Sequence, residues 1–199
     1  MQDVVVDISH FNGLHLDFVK AKAAGLQLMI HKATQSIRYV DPMYAVNRKA
    51  AKDAGLLTGA YHFGSGSASG KEQADFFLQN AVNGDLLCLD FEPNPQNVTM
   101  GINQALEFCE HVEQVTETPI MVYTGAPMLP QALKLQKSTI AGKDRALWWA
   151  EYNRTPHHAP KEWSLTLWQY TDHGELDGIG HCDRSEFYGT DLNDLFLKP

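Results

Sequence analysis

The sequence of 199 residues is poor in cysteine, in basic residues and in long apolar runs, and each shortage excludes a class of protein. Its three cysteines are Cys88, Cys109 and Cys182, and no two of them form a CxxC pair. This number and spacing argue against a disulfide framework and a cysteine zinc site, so we expect three free thiols. Lysine and arginine number 16 against 24 acidic residues, and the net charge of −8 argues against a nucleic-acid partner.

The absence of long apolar runs also bears on membranes. No run is long enough to span a bilayer, so we expect no membrane partner. The start of the chain, MQDVVVDISH, lacks the basic residues and apolar stretch of a secretory signal. We therefore expect either that export does not use a secretory signal or that such a signal is missing from this sequence. The composition is 44% hydrophobic and 20% charged, which with the lack of repeats predicts one domain over residues 1–199.

Strand-like apolar runs alternate with helical patterns through the first two thirds of the chain. Such runs begin near residues 4, 26, 57, 86 and 119, and a helical stretch follows each of them. Three later strand-like runs, at 146–152, 165–171 and 183–189, are joined by segments without helical periodicity. Because a complete barrel of eight β-α units needs about 250 residues, we predict an α/β fold, an incomplete TIM-like barrel with five β-α units followed by three strands with few or no helices.

The fourth strand-like run, LLCLDFEPNP, ends in two carboxylates, Asp90 and Glu92. Side chains alternate along a strand, so both acids share one face with Cys88. Chemistry in parallel barrels lies at the carboxyl ends of the strands, and paired carboxylates are what glycoside hydrolysis requires. Acids at this position also bind metals, cap helices or form buried ion pairs, so the pair alone leaves these alternatives open.

Short motifs in a fixed order make the chain similar to a known family. These motifs are DISHFNG (7–13), HKAT (31–34), YVDPMYAVNRKAAKDAGLLTGAYHF (39–63), QADFF (73–77), LDFE (89–92), PIMVYTG (119–125), LWWAEY (147–152), LWQYT (167–171) and CDRSEF (182–187). Together they resemble the glycoside hydrolase family 25 muramidases, the Chalaropsis-type lysozymes. The resemblance implies a flattened barrel and hydrolysis of the β-1,4 bond between N-acetylmuramic acid and N-acetylglucosamine in peptidoglycan.

The resemblance also implies roles for four acids. Glu92 would be the general acid, and Asp90 would stabilise the positively charged centre through the acetamido group of the substrate. Asp7 on the first strand and Asp183 on the last match the other two acids of the family, which would position Glu92 and tune its pKa.

Aromatic and amide side chains are expected to bind the sugars. Tyr61 and Tyr123 match aromatic positions of the family cleft, and Trp149, Tyr152 and Gln169 are further candidates for stacking and hydrogen bonding. Trp148 and Trp149 alternate across a strand, so one of them should pack in the core. His62 fits a core histidine or a substrate contact equally well.

Neither a cofactor nor a metal is expected, because His157 and His158 lack the spaced partner of a motif such as HExxH. The expected partner is the peptidoglycan glycan strand, bound by a monomer at the bacterial cell wall, in the periplasm or outside the cell. An immunity or delivery protein would be a partner if the protein were a secreted toxin. A catalytically weak glycan-binding module and another peptidoglycan hydrolase, such as an amidase, remain alternatives.

Overall fold

The structure is a computed structural model that describes residues 2–82, 84–95, 98–140 and 142–196. Nine strands are present in this part of the chain: β1 (Gln2–Ile8), β2 (Leu28–Gln35), β3 (Tyr39–Val40), β4 (Leu57–Phe63), β5 (Leu86–Asp90), β6 (Met121–Gly125), β7 (Leu147–Ala150), β8 (Leu165–Leu176) and β9 (Gly180–Phe187). The α-helices are α1 (Phe18–Ala23), α2 (Tyr44–Asp53), α3 (Gly70–Asn80) and α4 (Ile102–Thr116).

Eight of the strands close into a barrel. The sheet order is β1-β9-β8-β7-β6-β5-β4-β2-β3, and an additional pairing of β1 with β2 closes the ring, leaving β3 as a short addition to β2. The pairs from β1 through β2, β4, β5, β6 and β7 to β8 are parallel, whereas β9 is antiparallel to both of its neighbours. The predicted barrel-like α/β fold is therefore confirmed as a mixed eight-stranded barrel.

Local sequence signals account for the helices that link the parallel strands. The Ser69 hydroxyl accepts a hydrogen bond from the backbone N–H of Glu72, and the Glu72 carboxylate accepts one from the backbone N–H of Ser69. This capping box starts α3. Gly25 and Gly55 follow α1 and α2 with φ of +105° and +78°, which favours glycine over other residues.

The predicted fifth β-α unit is not confirmed, because the connection after β6 differs from the first four. It contains 3₁₀ segments at Ala126–Met128 and Gln131–Leu135 instead of an α-helix. Within the described residues, no α-helix lies between β7 and β9. No described helix is long and apolar enough to cross a membrane.

Alternation along the strands divides the apolar side chains into an inner and an outer layer. On β5, Leu86 and Cys88 pack inside the barrel, whereas Leu89 and the following Phe91 pack against the helices. The inner face of β5 ends at Asp90, so the polar site lies directly above the apolar filling of the barrel.

Candidate active site

A polar pocket of about 100 Å³ lies at the carboxyl ends of the parallel strands. Its lining consists of four acids, three aromatic residues and one amide: Asp7, Asp90, Glu92, Asp183, Tyr61, Tyr123, Trp148 and Gln169. We call it the acid pocket. The structure therefore brings together all four acids named from the sequence, along with three of the five expected sugar-binding residues.

Strand register places the four acids around this pocket. Asp7 near the end of β1 is directly opposite Asp183 on the antiparallel strand β9. Asp90 ends β5 opposite Tyr123 of β6, and Glu92 follows after one outward residue. The acids come from strands far apart in sequence, so closure of the barrel is what makes them neighbours.

Gln169 of β8 connects the two sides of the pocket. Its Nε2 donates hydrogen bonds to Oδ2 of Asp7 at 2.9 Å and to Oδ2 of Asp183 at 3.4 Å. Its Oε1 accepts bonds from the hydroxyls of Tyr123 at 2.8 Å and Tyr152 at 2.9 Å. The amide is only 1% exposed, and both of its atoms are occupied. Gln169 was expected to form hydrogen bonds with a sugar. Its position instead fits a residue that holds the acids in place.

Asp7 and Asp183 form one side of the pocket, and each affects the pKa of the other. Burial raises the pKa of Asp7 well above its usual value, and the charge of Asp183 raises it further. Burial also raises the pKa of Asp183, while a hydrogen bond from Asp7 opposes that rise. The interaction between the two carboxyl groups raises the pKa of Asp7 and lowers that of Asp183, so Asp7 has the stronger tendency to hold a proton.

Asp90 and Glu92 form the other side of the pocket. Burial raises the pKa of Asp90 well above its usual value, and the charge of Glu92 adds to the shift, whereas the Lys32 ammonium opposes it. Burial and the charge of Asp183 raise the pKa of Glu92, and Lys32 again acts in the opposite direction. Oδ1 of Asp90 is buried and makes no hydrogen bond to any described residue.

Aromatic rings form the walls of the pocket. Tyr61 and Tyr123 are two of its lining residues. Tyr152 lies outside the lining, yet its side chain reaches Gln169 and the residue is 51% exposed, so its ring lies at the rim. The Trp148 ring packs edge-on against Tyr123 with a centroid distance of 4.8 Å.

The expectation that Trp149 contacts sugars needs correction. Trp149 is fully buried in the outer apolar layer between the strands and the helices. Its indole N–H donates to Oε2 of Glu151 at 2.9 Å. Because alternate residues of β7 face opposite sides, the pocket receives Trp148, which the sequence left undecided between core and cleft.

His62 and the three cysteines lie in the apolar core and not in the acid pocket. His62 lies in the outer core between Thr34 at 2.8 Å and Gln73 at 3.2 Å, and its ring stacks on Phe108. Burial lowers the pKa of His62 to about 4, which keeps the ring neutral at physiological pH. All three cysteines are free and buried. No cluster of His, Cys, Asp or Glu that could hold a metal occurs in the described part of the chain.

Lys32 and Trp148 are the residues that sequence reasoning did not assign. Leu28 and Ile30 of β2 pack inside the barrel, so Lys32, two positions further on, continues the inward face. Trp148 is the register partner of Tyr123 on the neighbouring strand, and both side chains face into the barrel. Both residues could have been found from the sequence by following which side chains of each strand face into the barrel.

Comparison with known proteins agrees with this geometry. The sequence model described as glycosyl hydrolases family 25 matches residues 6–179, most of the chain. The chain belongs to glycosyl hydrolases family 25. The family match contains Asp7, Asp90 and Glu92, whereas Asp183 lies just beyond its end.

Named relatives of this family 25 chain include both characterised and uncharacterised proteins. It is 32% identical over 173 residues to the uncharacterised protein YegX of Escherichia coli strain K12, covering 83% of this chain and 60% of that protein. Lysozyme M1 of Streptomyces globisporus is 28% identical over 201 residues, covering 93% of this chain and 67% of that protein. The chain thus spans about three fifths of the first of these relatives and two thirds of the second.

A solved structure with the same fold is the bacterial lysozyme from Streptomyces coelicolor. It superposes with a TM-score of 0.85 at 27% identity, covering 100% of this chain and 97% of the other. The backbone of this family 25 member therefore matches that lysozyme over nearly the whole length of both chains.

Proposed function

We propose that this protein is a peptidoglycan hydrolase, a lysozyme that cleaves the β-1,4 bond between N-acetylmuramic acid and N-acetylglucosamine. The observation that carries the proposal is the convergence of Asp7, Asp90, Glu92 and Asp183 on one pocket at the carboxyl ends of the barrel strands. Membership of family 25 and the likeness to a bacterial lysozyme support the same activity. Its place of action would be the bacterial cell wall.

Glu92 is the general acid in this proposal. A general acid must hold its proton at the working pH, and both burial and the charge of Asp183 raise the pKa of Glu92. Glu92 donates that proton to the leaving glycosidic oxygen as the bond from C1 breaks. Glu92 lies at the start of the loop after β5 and is less buried than Asp90, which suits contact with a polymer that enters from solvent.

Asp90 stabilises positive charge through the substrate. The oxygen of the 2-acetamido group attacks C1 as the leaving group departs, and the resulting cyclic ion carries its charge beside the acetamido nitrogen. Oδ1 of Asp90 is available to accept the N–H of that group, since no described residue donates to it. Water then attacks C1, Glu92 takes up the proton, and the configuration at C1 is retained overall.

Asp7 and Asp183 tune the reaction from the opposite side. The interaction with Asp7 favours the charged form of Asp183, and that charge raises the pKa of Glu92. Gln169 fixes both side chains by hydrogen bonds. Tyr61, Tyr123, Trp148 and Tyr152 then provide ring faces and hydroxyls for sugars at the pocket and its rim.

The test is mass spectrometry of peptidoglycan digested by the wild-type protein. A muramidase leaves N-acetylmuramic acid at the new reducing end, a glucosaminidase leaves N-acetylglucosamine, and an amidase releases the peptide stem without a new reducing end. Glu92→Gln should lower turnover by roughly two to four orders of magnitude, while Glu110→Gln, on the exposed face of α4, serves as the control.

Binding without cleavage by the wild-type protein would support the alternative of a glycan-binding module. Release of stems, or a Glu92→Gln variant with near wild-type turnover, would contradict the proposed chemistry. Circular dichroism and thermal unfolding of both variants show whether a loss of turnover comes from the carboxyl group alone.

A further inference from the structure

A larger depression, which we call the side groove, lies beside the acid pocket. Its volume is about 570 Å³, compared with about 100 Å³ for the acid pocket. The residues that matter here are His10 and Phe11 from the 3₁₀ segment after β1, Lys32 and Gln35 from β2, and Arg38 and Tyr39 from the turn into β3. A smaller depression lined by Phe11, Asp7, Tyr61 and Asp183 adjoins both, so a ligand in the acid pocket can extend into the groove.

Two cations, Lys32 and Arg38, border the groove. The Lys32 ammonium donates to Oε1 of Gln35 at 2.7 Å and lies 4.8 Å from the ring centroid of Phe63 and 5.5 Å from that of Tyr39. The guanidinium of Arg38 is exposed. Neither side chain forms an ion pair with a carboxylate of the described residues, but the charges of nearby acids, Asp90 first, act on Lys32. Arg38 is therefore the groove cation that is open to a counterion.

One acid beside the groove, Asp41, is held by hydrogen bonds to the groove wall. Asp41 is buried and accepts hydrogen bonds from the backbone N–H of His10 at 3.1 Å and of Met43 at 3.0 Å. Its Oδ2 also lies 2.8 Å from Nδ1 of His10, whose ring is further fixed by the Tyr39 hydroxyl at 3.0 Å. Asp41 therefore anchors the wall of the groove through His10 and leaves Arg38 to an incoming anion.

We propose that the side groove binds the peptide stem of peptidoglycan through its carboxylates, with Arg38 as the principal contact. The inference rests on the proposed function, because muramic acid carries this stem next to the bond that would be cleaved. An arginine fork matches a carboxylate with two parallel hydrogen bonds. The groove volume also lies within the range of about 300 to 1,000 Å³ that holds ligands of this size.

A neutral sugar is a poorer occupant of the same groove. Covering the Arg38 guanidinium with a ligand that carries no charge removes water from it without supplying a counterion, which is unfavourable. A carboxylate supplies that counterion. The exposed ring of Phe11, which borders the groove, is left to pack against the apolar parts of the stem.

Binding of three soluble ligands separates these possibilities. Each is a tetrasaccharide of two GlcNAc–MurNAc units: the first bears L-alanyl-D-glutamate stems, the second bears the same stems with their carboxylates converted to primary amides, and the third has only a methylamide on the lactyl group. Calorimetry on the Glu92→Gln protein gives the Kd values without hydrolysis. The same measurements are made on Glu92→Gln with Arg38→Gln, and on Glu92→Gln with Lys143→Gln, an exposed lysine of the loop before β7.

The carboxylate stem should bind about tenfold more tightly than the amidated stem, which corresponds to about 1.4 kcal/mol for a charge-assisted contact. Arg38→Gln should remove most of that difference and leave the methylamide ligand unchanged, while Lys143→Gln alters none of the three. Equal affinity for the two stems, or an equal loss on all three ligands with Arg38→Gln, would overturn the proposal. Cleavage by the wild-type protein reports on the proposed function separately, because it does not depend on which stem is preferred.

Discussion

The side-chain nitrogen of Gln169 donates a hydrogen bond of 2.9 Å to Oδ2 of Asp7, which joins the eighth strand in the chain to the first across the top of the barrel. The same nitrogen reaches Asp183 at 3.4 Å, and the carbonyl oxygen of the amide is held by Tyr123 and Tyr152. Gln169 therefore controls where two of the four acids lie without an atom left free for the substrate.

Replacing Gln169 by methionine should lower kcat by about 10- to 100-fold and leave KM little changed. The substitution keeps the length of the side chain but removes hydrogen bonds to ionisable groups, each worth about 1.5–3 kcal/mol. Steady-state kinetics on soluble glycan fragments measure both constants. Gln136→Met, whose amide bonds to Asp144 near the other end of β7, is the matched control. A higher KM with an unchanged kcat would instead make Gln169 a ligand of the sugar.

Two substitutions should move the basic limb of the pH–rate profile in opposite directions. The charge of Asp183 raises the pKa of Glu92, whereas the charge of Lys32 lowers it. The general acid must be protonated, so activity falls as pH rises through its pKa. Asp183→Asn should therefore move the basic limb to lower pH, and Lys32→Met should move it to higher pH. Profiles of kcat/KM measure this, and a shift of both variants in one direction would contradict the assignment of Glu92.

The adjacent tryptophans should respond differently to replacement by phenylalanine. Trp149→Phe should reduce the free energy of unfolding by about 1–3 kcal/mol, because it leaves a gap in the outer layer and removes a hydrogen bond to Glu151. Its KM should stay near that of the wild type. Trp148→Phe should lower kcat/KM by about tenfold, because the ring borders the pocket and its N–H holds Ser185 at 3.0 Å. Denaturant titrations and kinetics together check this contrast.

The three thiols should be unreactive in the folded protein. Burial raises the pKa of Cys88 well above its usual value and raises the pKa of both Cys109 and Cys182 to about 12, so the nucleophilic thiolate is scarce at neutral pH. Iodoacetamide should leave mass and activity unchanged until the chain is unfolded, when three sites react. Rapid loss of activity on alkylation, or an inactive but folded Cys88→Ala protein, would give a thiol a role that this structure does not assign.

Much of the fold and of the acid set was predictable from the chain. Alternation of apolar residues, helix-ending glycines and the Ser69 cap are local signals, and they located the eight barrel strands and the first four helices but not the two-residue strand β3. The motif around Asp90 and Glu92 has the strand parity that places both acids on one face, as the pocket lining shows. The connection after β6 was harder to predict, because its helical stretch is short and local propensity does not separate a 3₁₀ turn from an α-helix.

Sequence by itself determined the succession of barrel strands and helices along the chain, the shared face of Asp90 and Glu92 and the presence of acids at strand ends. Only the tertiary structure decided which of them share a proton, which tryptophan borders the pocket and where Gln169 places its amide. The physical reason is that pKa shifts and hydrogen bonds depend on distances of a few ångströms between residues far apart in the chain. Asp7 and Asp183 are 176 positions apart in the sequence and become register partners when β9 closes the barrel against β1.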